Sequence, residues 1–236
     1  FLDVTHGGPE MFFLQNILHF PKAKSPSAAY GTAIHSTLQQ AHANFSTTGQ
    51  KQAIEDIVSN FETNLDNQRM AKKDFDFFLR KGSDALLTYL EKNYDSFRAS
   101  EQTELDFKSQ NSLIDEARID GKLDLVDIDK TNKTMLISDY KTGKPSPNWS
   151  GKDEYDRIKL HKYKQQLMFY KLLVENSRNW HDYRVDEATL HFIEPAQNGE
   201  IYMLNTTFND SEMKQFKDLL LAVWKHIIIL DLPDIS

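Results

Sequence analysis

The spacing of apolar residues changes near residue 100, and this change constrains the fold more than any other feature of the sequence. Before it, apolar side chains recur every three or four residues, which is the period of an amphipathic helix. We therefore predict that residues 1–100 are mainly helical. The predicted helices cover residues 9–20, a segment that begins near Ser25 and Ser27 and contains His35, and residues 52–67 and 75–97.

Beyond residue 100 the apolar residues alternate with polar ones or form short runs, as they do in β-strands. Turn-forming residues separate these runs, and two further segments return to the helical period. A mainly helical part followed by mixed strands and helices predicts an α/β fold. The predicted strands cover residues 103–108, 117–128 and 135–140, which we expect to be antiparallel, and a hairpin of 188–194 with 200–207; the helices cover 155–175 and about 211–230.

Composition excludes several classes of site. The formal net charge of −7 over 236 residues argues against a uniformly basic nucleic-acid coat and against a membrane-surface protein. The absence of cysteine excludes disulfides, thiolate zinc sites, iron–sulfur clusters and cysteine nucleophiles. Any metal site must then use oxygen and imidazole ligands, and any contact with nucleic acid must be local.

The length of the chain fits one generous domain, and we expect a single domain over residues 1–236. No apolar run in the sequence is long enough to cross a bilayer. The chain opens at Phe1 in an apolar segment without a signal-peptide pattern. These features predict an intracellular, cytoplasmic protein of bacterial type, and we expect the sequence to be a fragment of a larger protein.

Two aspartates and a lysine on adjacent predicted strands form a candidate metal site. In the strand ending LISDYK, Asp139 and Lys141 lie on the same face, because side chains alternate along a strand. The preceding strand, GKLDLVDID, sets Asp124 beside them if the two strands pair as a hairpin across residues 129–133. Carboxylate ligands of this kind suit Mg²⁺ or Mn²⁺, which can activate a water molecule for attack on phosphate.

A structural interpretation of the same aspartates competes with this one. Two arbitrary aspartates at a strand edge are more often paired with lysines at the surface than bound to a metal ion. The pattern becomes specific only when further motifs are counted with it.

Those further motifs resemble a known family. The segments GKLDLVDID, LISDYKTGK and QLMFY are similar, in order and spacing, to successive motifs of the RecB-like nucleases in the PD-(D/E)XK superfamily. The resemblance covers residues 9–174 and implies a restriction-endonuclease-like core, in which helices flank a mixed β-sheet, with an N-terminal helical lobe. It also implies Mg²⁺- or Mn²⁺-dependent hydrolysis of DNA phosphodiester bonds, without an iron–sulfur cluster.

Roles for individual residues follow from the matching positions. The segment YGTAIHSTL supplies the glycine and histidine of an upstream family motif, although a lone histidine on an amphipathic helix is more often structural. Many members of the superfamily have glutamate where this chain has Asp139. The implied metal ligands are His35, Asp124, Asp139 and the backbone carbonyl of Tyr140, with Lys141 as the catalytic lysine.

Gln166 and Tyr170 match the Q-x-x-x-Y motif of the same family. Because they are four residues apart on a predicted helix, they share a face and can reach the site or the DNA backbone together. The alternative is an ordinary core-facing helix surface. We add both to the expected catalytic set of Asp124, Asp139 and Lys141.

Residues 141–171 include eight basic residues against three acidic ones, an excess of positive charge in an acidic chain. In the loop after the LISDYK strand, Lys144 and Lys152 can hold phosphates and Trp149 can stack on a base, so we predict DNA contacts at all three. An equally good interpretation makes this a solvated loop anchored by a packed Trp149.

The opening segment, residues 9–35, resembles the start of nuclease domains at the C-terminus of UvrD/Rep-type helicases. It implies an ATP-dependent helicase as partner, in the same full-length chain, and a role in DNA recombination or repair. The motor's G-x-x-x-x-G-K-[ST] loop is absent from this sequence. The alternatives are a catalytically silent DNA-binding or scaffold module and a protein-interaction domain, the second of which predicts no salt-dependent DNA affinity.

Overall fold

The computed structural model of the protein describes residues 8–21 and 23–229. Its strands are β1 (Glu101–Asp106), β2 (Ser112–Ile114), β3 (Ala117–Ile119), β4 (Lys122–Asp129), β5 (Thr134–Lys141), β6 (Glu187–Phe192) and β7 (Met203–Thr207). Five of them form a mixed sheet in the order β1-β4-β5-β6-β7, and β2 pairs with β3 in a second, two-stranded sheet. In the main sheet only the pairing of β5 with β6 is parallel.

Helices flank the main sheet. They are α1 (Gly8–Phe12), which continues as a π-helical turn (Phe13–Ile17), α2 (Pro26–Thr48), α3 (Ile54–Asp66), α4 (Lys72–Asn93), which leads into a 3₁₀ turn (Tyr94–Ser96), α5 (Glu154–Glu175) and α6 (Asp210–Ile228). Helices α1 to α4 precede the sheet in the chain, α5 lies between β5 and β6, and α6 follows β7. None of the helices in the described residues is both long and apolar enough to span a membrane. The α/β class predicted from the sequence, with an N-terminal helical lobe, is confirmed.

Three predicted elements differ from the observed ones. The strand predicted over 117–128 breaks at Gly121, where an added Cβ would lie 2.8 Å from Leu173 Cδ1. Because the chain passes so close to α5 there, β3 leaves the main sheet and pairs with β2. The helix predicted over 9–20 is shorter, since it becomes a π-helical turn at Phe13. The helix predicted to residue 230 ends at Ile228, and residue 230 itself lies outside the described residues.

Both faces of the main sheet are buried, and successive residues of β5 pack against different helices. Ile137 belongs to the hydrophobic core that includes Leu167 of α5. Tyr140, on the other face, belongs to a second core that includes Ile34 of α2 and Leu86 of α4. Strand β5 is therefore covered by the N-terminal helical lobe on one side and by α5 on the other.

Helix α2 is well defined at both ends. Ser25 accepts a hydrogen bond from the Ala28 backbone N–H at 3.2 Å, and Pro26 occupies the first turn, where it has no hydrogen bond to lose. The helix ends at Gly49, whose φ of 69° is the left-handed conformation that glycine adopts without strain. These signals hold His35 near the middle of a 23-residue helix.

The turn between β4 and β5 fixes the register of the two strands. The Asp129 carboxylate accepts hydrogen bonds from the backbone N–H groups of Thr131, at 2.9 Å, and Asn132, at 3.0 Å. Leu125 then lies opposite Ser138, and the same register continued by one residue brings Asp124 level with Asp139. The hairpin predicted from the sequence therefore forms in the register that the candidate site requires.

We expect Gly82→Ala to destabilise the helical lobe. An added Cβ would overlap the Phe61 ring and lie 2.9 Å from Tyr30 Cε2, and both rings are fully buried. Overpacking of this kind lowers the free energy of unfolding by about 1–3 kcal/mol, which exceeds the gain in helix propensity. Unfolding in guanidinium chloride measures the change, with Ser83→Ala on the same helix as control. Equal stabilities of the two variants would contradict the packing argument.

Candidate active site

Asp124, Asp139 and Lys141 meet where β4 and β5 lie side by side. Lys141 Nζ is 2.6 Å from Asp139 Oδ2, and the Tyr140 backbone N–H donates to Asp124 Oδ2 at 3.2 Å. The Asp139 side chain is 1% exposed and that of Lys141 is 14% exposed. A buried charge pair is costly unless its remaining polar atoms are satisfied, so the surrounding groups matter.

His35 reaches the site from α2. Its Nδ1 lies 3.1 Å from Asp124 Oδ2, and its side chain is 30% exposed. Gly31 stands one turn earlier on the helix, where an added Cβ would lie only 3.2 Å from Thr142 Oγ1. The absence of a side chain at Gly31 lets α2 approach the end of β5 closely, and this explains why a glycine stands four residues before the histidine.

Gln166 and Tyr170 complete a ring of contacts around Lys141 and Asp139. Lys141 Nζ donates to Gln166 Oε1 at 2.6 Å, and Gln166 Nε2 donates to the Tyr170 hydroxyl oxygen at 2.6 Å. The Tyr170 hydroxyl donates in turn to Asp139 Oδ1 at 3.2 Å. Burial raises the pKa of Tyr170, so the hydroxyl stays protonated and can donate. Both side chains face the site, as the Q-x-x-x-Y interpretation predicted.

Tyr163 also contacts the lysine, and the sequence interpretation missed it. Lys141 Nζ lies 4.8 Å from the centre of the Tyr163 ring, which is within the range of a cation–π contact. A signal was present, because Tyr163 precedes Gln166 by three residues and Tyr170 by seven, so the three share one face of α5.

The backbone beside Asp124 is irregular. Glu104 in β1 has a φ of 57°, and the pairing of β1 with β4 skips this residue, at the position level with Asp124. A left-handed conformation costs a non-glycine residue about 1–3 kcal/mol, and such residues cluster at functional sites. The interruption supports a functional interpretation of this part of the sheet.

In the metal-free protein the ionisable groups of the site change one another's pKa values. Burial lowers the pKa of His35, but the hydrogen bond to Asp124 and its charge outweigh this effect, and the pKa is raised. Burial raises the pKa of Asp124, yet His35 holds it below its usual value. Burial raises the pKa of Asp139, Lys141 opposes the rise, and the net pKa is above normal. Perturbed groups in one cluster are typical of a reactive site.

The residues present fit a hard divalent cation by their donor chemistry. Two carboxylates, an imidazole and a backbone carbonyl are ligands that Mg²⁺ or Mn²⁺ accepts. Asp139 Oδ2 is buried and has no aligned hydrogen bond, only the ionic contact with Lys141, so one carboxylate oxygen is available for a ligand. Within residues 8–21 and 23–229, no three His, Asp or Glu side chains already stand in metal-binding geometry. An ion would therefore have to draw these side chains together.

Contacts within the protein hold the loop after β5 in place. Trp149 Nε1 donates to the Asn205 carbonyl at 2.8 Å, and the ring packs against the α5 core. These contacts favour the anchor interpretation of Trp149 over base stacking. Lys144 and Lys152 lie apart from it, with Tyr202, along a groove of about 510 Å³. The structure thus groups the two predicted lysines but not the tryptophan.

Much of the positive charge of residues 141–171 is neutralised within the protein. Lys144 and Lys159 both pair with Asp156, whose pKa they hold below its usual value, Lys159 more strongly. Two further lysines of the segment form the pairs Lys164–Glu212 at 2.8 Å and Lys171–Glu175 at 2.6 Å. The positive charge that this segment presents to its surroundings is therefore smaller than the count of basic residues indicates.

A family model and a solved structure both match most of the chain. The family model described as the PD-(D/E)XK nuclease superfamily matches residues 7–231. No curated protein matches the chain. The crystal structure of protein VC1899 from Vibrio cholerae aligns with 12% identity and a TM-score of 0.25, over 87% of this chain and 58% of that one. A TM-score at that level does not establish a shared fold.

We expect Asp124→Asn to lower the pKa of His35 in metal-free protein. Without the Asp124 charge, burial is the largest remaining influence, and burial favours the neutral imidazole. An NMR titration of the His35 ring in the presence of a chelator measures the shift, with Asp127→Asn on the same strand as control. An unchanged His35 pKa would show that the contact with Asp124 is not formed in solution.

Proposed function

This chain belongs to the PD-(D/E)XK nuclease superfamily, and on that premise we propose that it hydrolyses phosphodiester bonds of DNA with a bound Mg²⁺ or Mn²⁺ ion. One observation supports the proposal most strongly. The ring that joins Lys141, Asp139, Gln166 and Tyr170 lies directly beside the Asp124–His35 pair. A lysine, two carboxylates and an imidazole thus meet at one partly exposed place.

We propose that His35, Asp124, Asp139 and the Tyr140 carbonyl hold the ion. When bound, the ion neutralises phosphate charge and lowers the pKa of a water molecule at the site. The Tyr170 hydroxyl binds Asp139 Oδ1, while Oδ2 of the same carboxylate faces the Lys141 ammonium group. Tyr170 would therefore orient Asp139, one of the proposed ligands.

Lys141 supplies a fixed positive charge. Asp139, Gln166 and the Tyr163 ring hold its ammonium group from three sides, so little side-chain entropy remains to be lost on binding. From this position it can stabilise charge that develops on the attacking oxygen or on the phosphate. Gln166 accepts from Lys141 and keeps the ammonium group aligned.

A catalytically silent DNA-binding or scaffold module is the alternative. Against it stands the burial of Asp139 and Lys141, because a module without chemistry gains little from a buried charge pair that could be replaced by apolar residues. A helicase partner in the same full-length chain and a role in recombination or repair are parts of our proposal that rest on the resemblance alone.

We expect Lys141→Ala to lower the rate of DNA cleavage by at least about 100-fold, because it removes a fixed charge from the site. The measurement uses labelled single- and double-stranded DNA with Mg²⁺ or Mn²⁺, and a chelator in parallel. Lys133→Ala is the matched control, because Lys133 lies at the opposite end of the β4–β5 hairpin and pairs with Asp182. Equal cleavage by both variants, or wild-type protein that neither binds metal nor cleaves DNA, would contradict the proposal.

We expect Lys152→Ala to weaken DNA binding and to reduce its dependence on salt. Lys152 is exposed beside the groove that Lys144 also lines, and loss of one phosphate contact lowers the slope of log affinity against log salt by about 1. Binding is measured in a chelator, so that no cleavage occurs, over a range of salt concentrations. A slope equal to that of Lys133→Ala would show that Lys152 does not contact DNA.

A further inference from the structure

A buried polar cluster lies on the face of β5 opposite Asp139 and Lys141. It centres on the Tyr140 hydroxyl, which points into the core of the helical lobe while the Tyr140 backbone contacts Asp124. The proposed catalytic chemistry uses none of its side chains. We call it the positioning cluster; its members are His42, Tyr89, Glu101, Tyr140 and His191.

His42 of α2 is the nearest partner of the Tyr140 hydroxyl. The distance from His42 Nε2 to that oxygen is 2.7 Å, and the His42 side chain is 1% exposed. The imidazole stacks on Phe97 with ring centres 3.8 Å apart and an angle of 12° between the planes. Its Nδ1 lies 2.9 Å from Glu101 Oε2, although off the direction of an N–H bond. The ring is thus held in one orientation.

A second arm extends from Tyr140 to the neighbouring strand and to α4. The rings of Tyr140 and Tyr89 pack edge to face with their centres 6.1 Å apart, and the Tyr89 hydroxyl lies 2.8 Å from His191 Nδ1 in β6. Burial, followed by the charge of His42, lowers the pKa of His191 to about 4, so this end of the cluster is neutral at neutral pH. The cluster therefore joins α2, α4, β1, β5 and β6.

These contacts form a closed series that begins and ends on α2 and passes through the candidate active site. His42 follows His35 by seven residues, which places both on the same face of α2, about 10 Å apart along the axis. His35 contacts Asp124, Asp124 accepts from the Tyr140 backbone N–H, and the Tyr140 side chain returns to His42. The hydroxyl contact thus ties α2 to β5 at a second place, beside the contact of His35 with Asp124.

We propose that His42 is a positioning residue that, by binding the Tyr140 hydroxyl, sets His35 and the backbone of residue 140 relative to Asp124. The inference rests on the proposed function, because His35, Asp124 and the Tyr140 carbonyl are three of the four groups proposed to hold the ion. A purely structural role explains the cluster less well. Apolar residues would fill the same space without the cost of burying polar groups, whereas a hydrogen bond specifies one relative position of helix and strand.

The test compares Tyr140→Phe and His42→Phe with the wild type by calorimetric titration of Mn²⁺. Loss of a group that orients metal ligands weakens binding by about 10- to 100-fold, and we expect this change in both variants. His42→Gln, which keeps a polar atom near the position of Nε2, should recover part of the affinity. Tyr94→Phe is the matched control, since Tyr94 is buried in the same core and its hydroxyl bonds no side chain of the described residues.

The double variant separates positioning from general destabilisation. If His42 acts through the Tyr140 hydroxyl, the double substitution to Phe weakens Mn²⁺ binding no more than either single one. Melting temperatures of all variants are measured in a chelator. Lower melting temperatures with an unchanged Mn²⁺ dissociation constant would overturn the inference and leave a structural role.

A readout in metal-free protein separates this inference from the proposed function. The imidazole nitrogen NMR signals of His35, recorded with a chelator, should move in Tyr140→Phe and His42→Phe but not in Tyr94→Phe. Wild-type protein that binds no Mn²⁺ and cleaves no DNA would end the proposed function, while moved His35 signals would still support positioning. Unmoved His35 signals would overturn the inference even if the nuclease is active.

Discussion

The pairing of β4 with β5 in a single register is the constraint on which the rest of the site depends. Leu125 opposite Ser138 brings Asp124 level with Asp139. A slip of one residue would turn Asp139 and Lys141 toward the helical lobe and the Tyr140 ring toward α5. The hydrogen bonds that the Asp129 side chain makes within the turn oppose such a slip. A local turn thus determines which side chains meet about ten residues away.

Because β5 is covered on both faces, consecutive residues of one strand serve different tasks. Asp139 and Lys141 face α5, where Gln166 accepts from Lys141 and Tyr170 donates to Asp139 Oδ1, which lowers the cost of burying the charge pair. Tyr140, between them, faces the helical lobe and ties the strand to α2. Helix α2 also presents His35, so the packing of the lobe and the geometry of the site depend on the same contacts.

The features predicted from the sequence are those that local patterns encode. Strand alternation placed Asp139 with Lys141, and helical spacing placed Gln166 with Tyr170, so both pairs could be found from short segments. His35 could be assigned only through the resemblance, because nothing local distinguishes it from a structural histidine. The positioning cluster joins residues about a hundred positions apart, such as His42 and Tyr140, and no local pattern marks it. The break of the strand at Gly121 likewise reflects a distant contact, with Leu173.

Under the proposed function an acidic chain binds an acidic polymer, and its positive charge must then stand at a few well-placed positions. Ion pairs with Asp156, Glu175 and Glu212 occupy most of the lysines around α5, so these lysines add rigidity more than attraction. At the site itself, Lys141 offsets one carboxylate, and Asp124 shares the remaining negative charge with His35. A divalent cation bound there would reverse the sign of the local potential. Under the proposed function, affinity for the scissile phosphate would then depend on the ion.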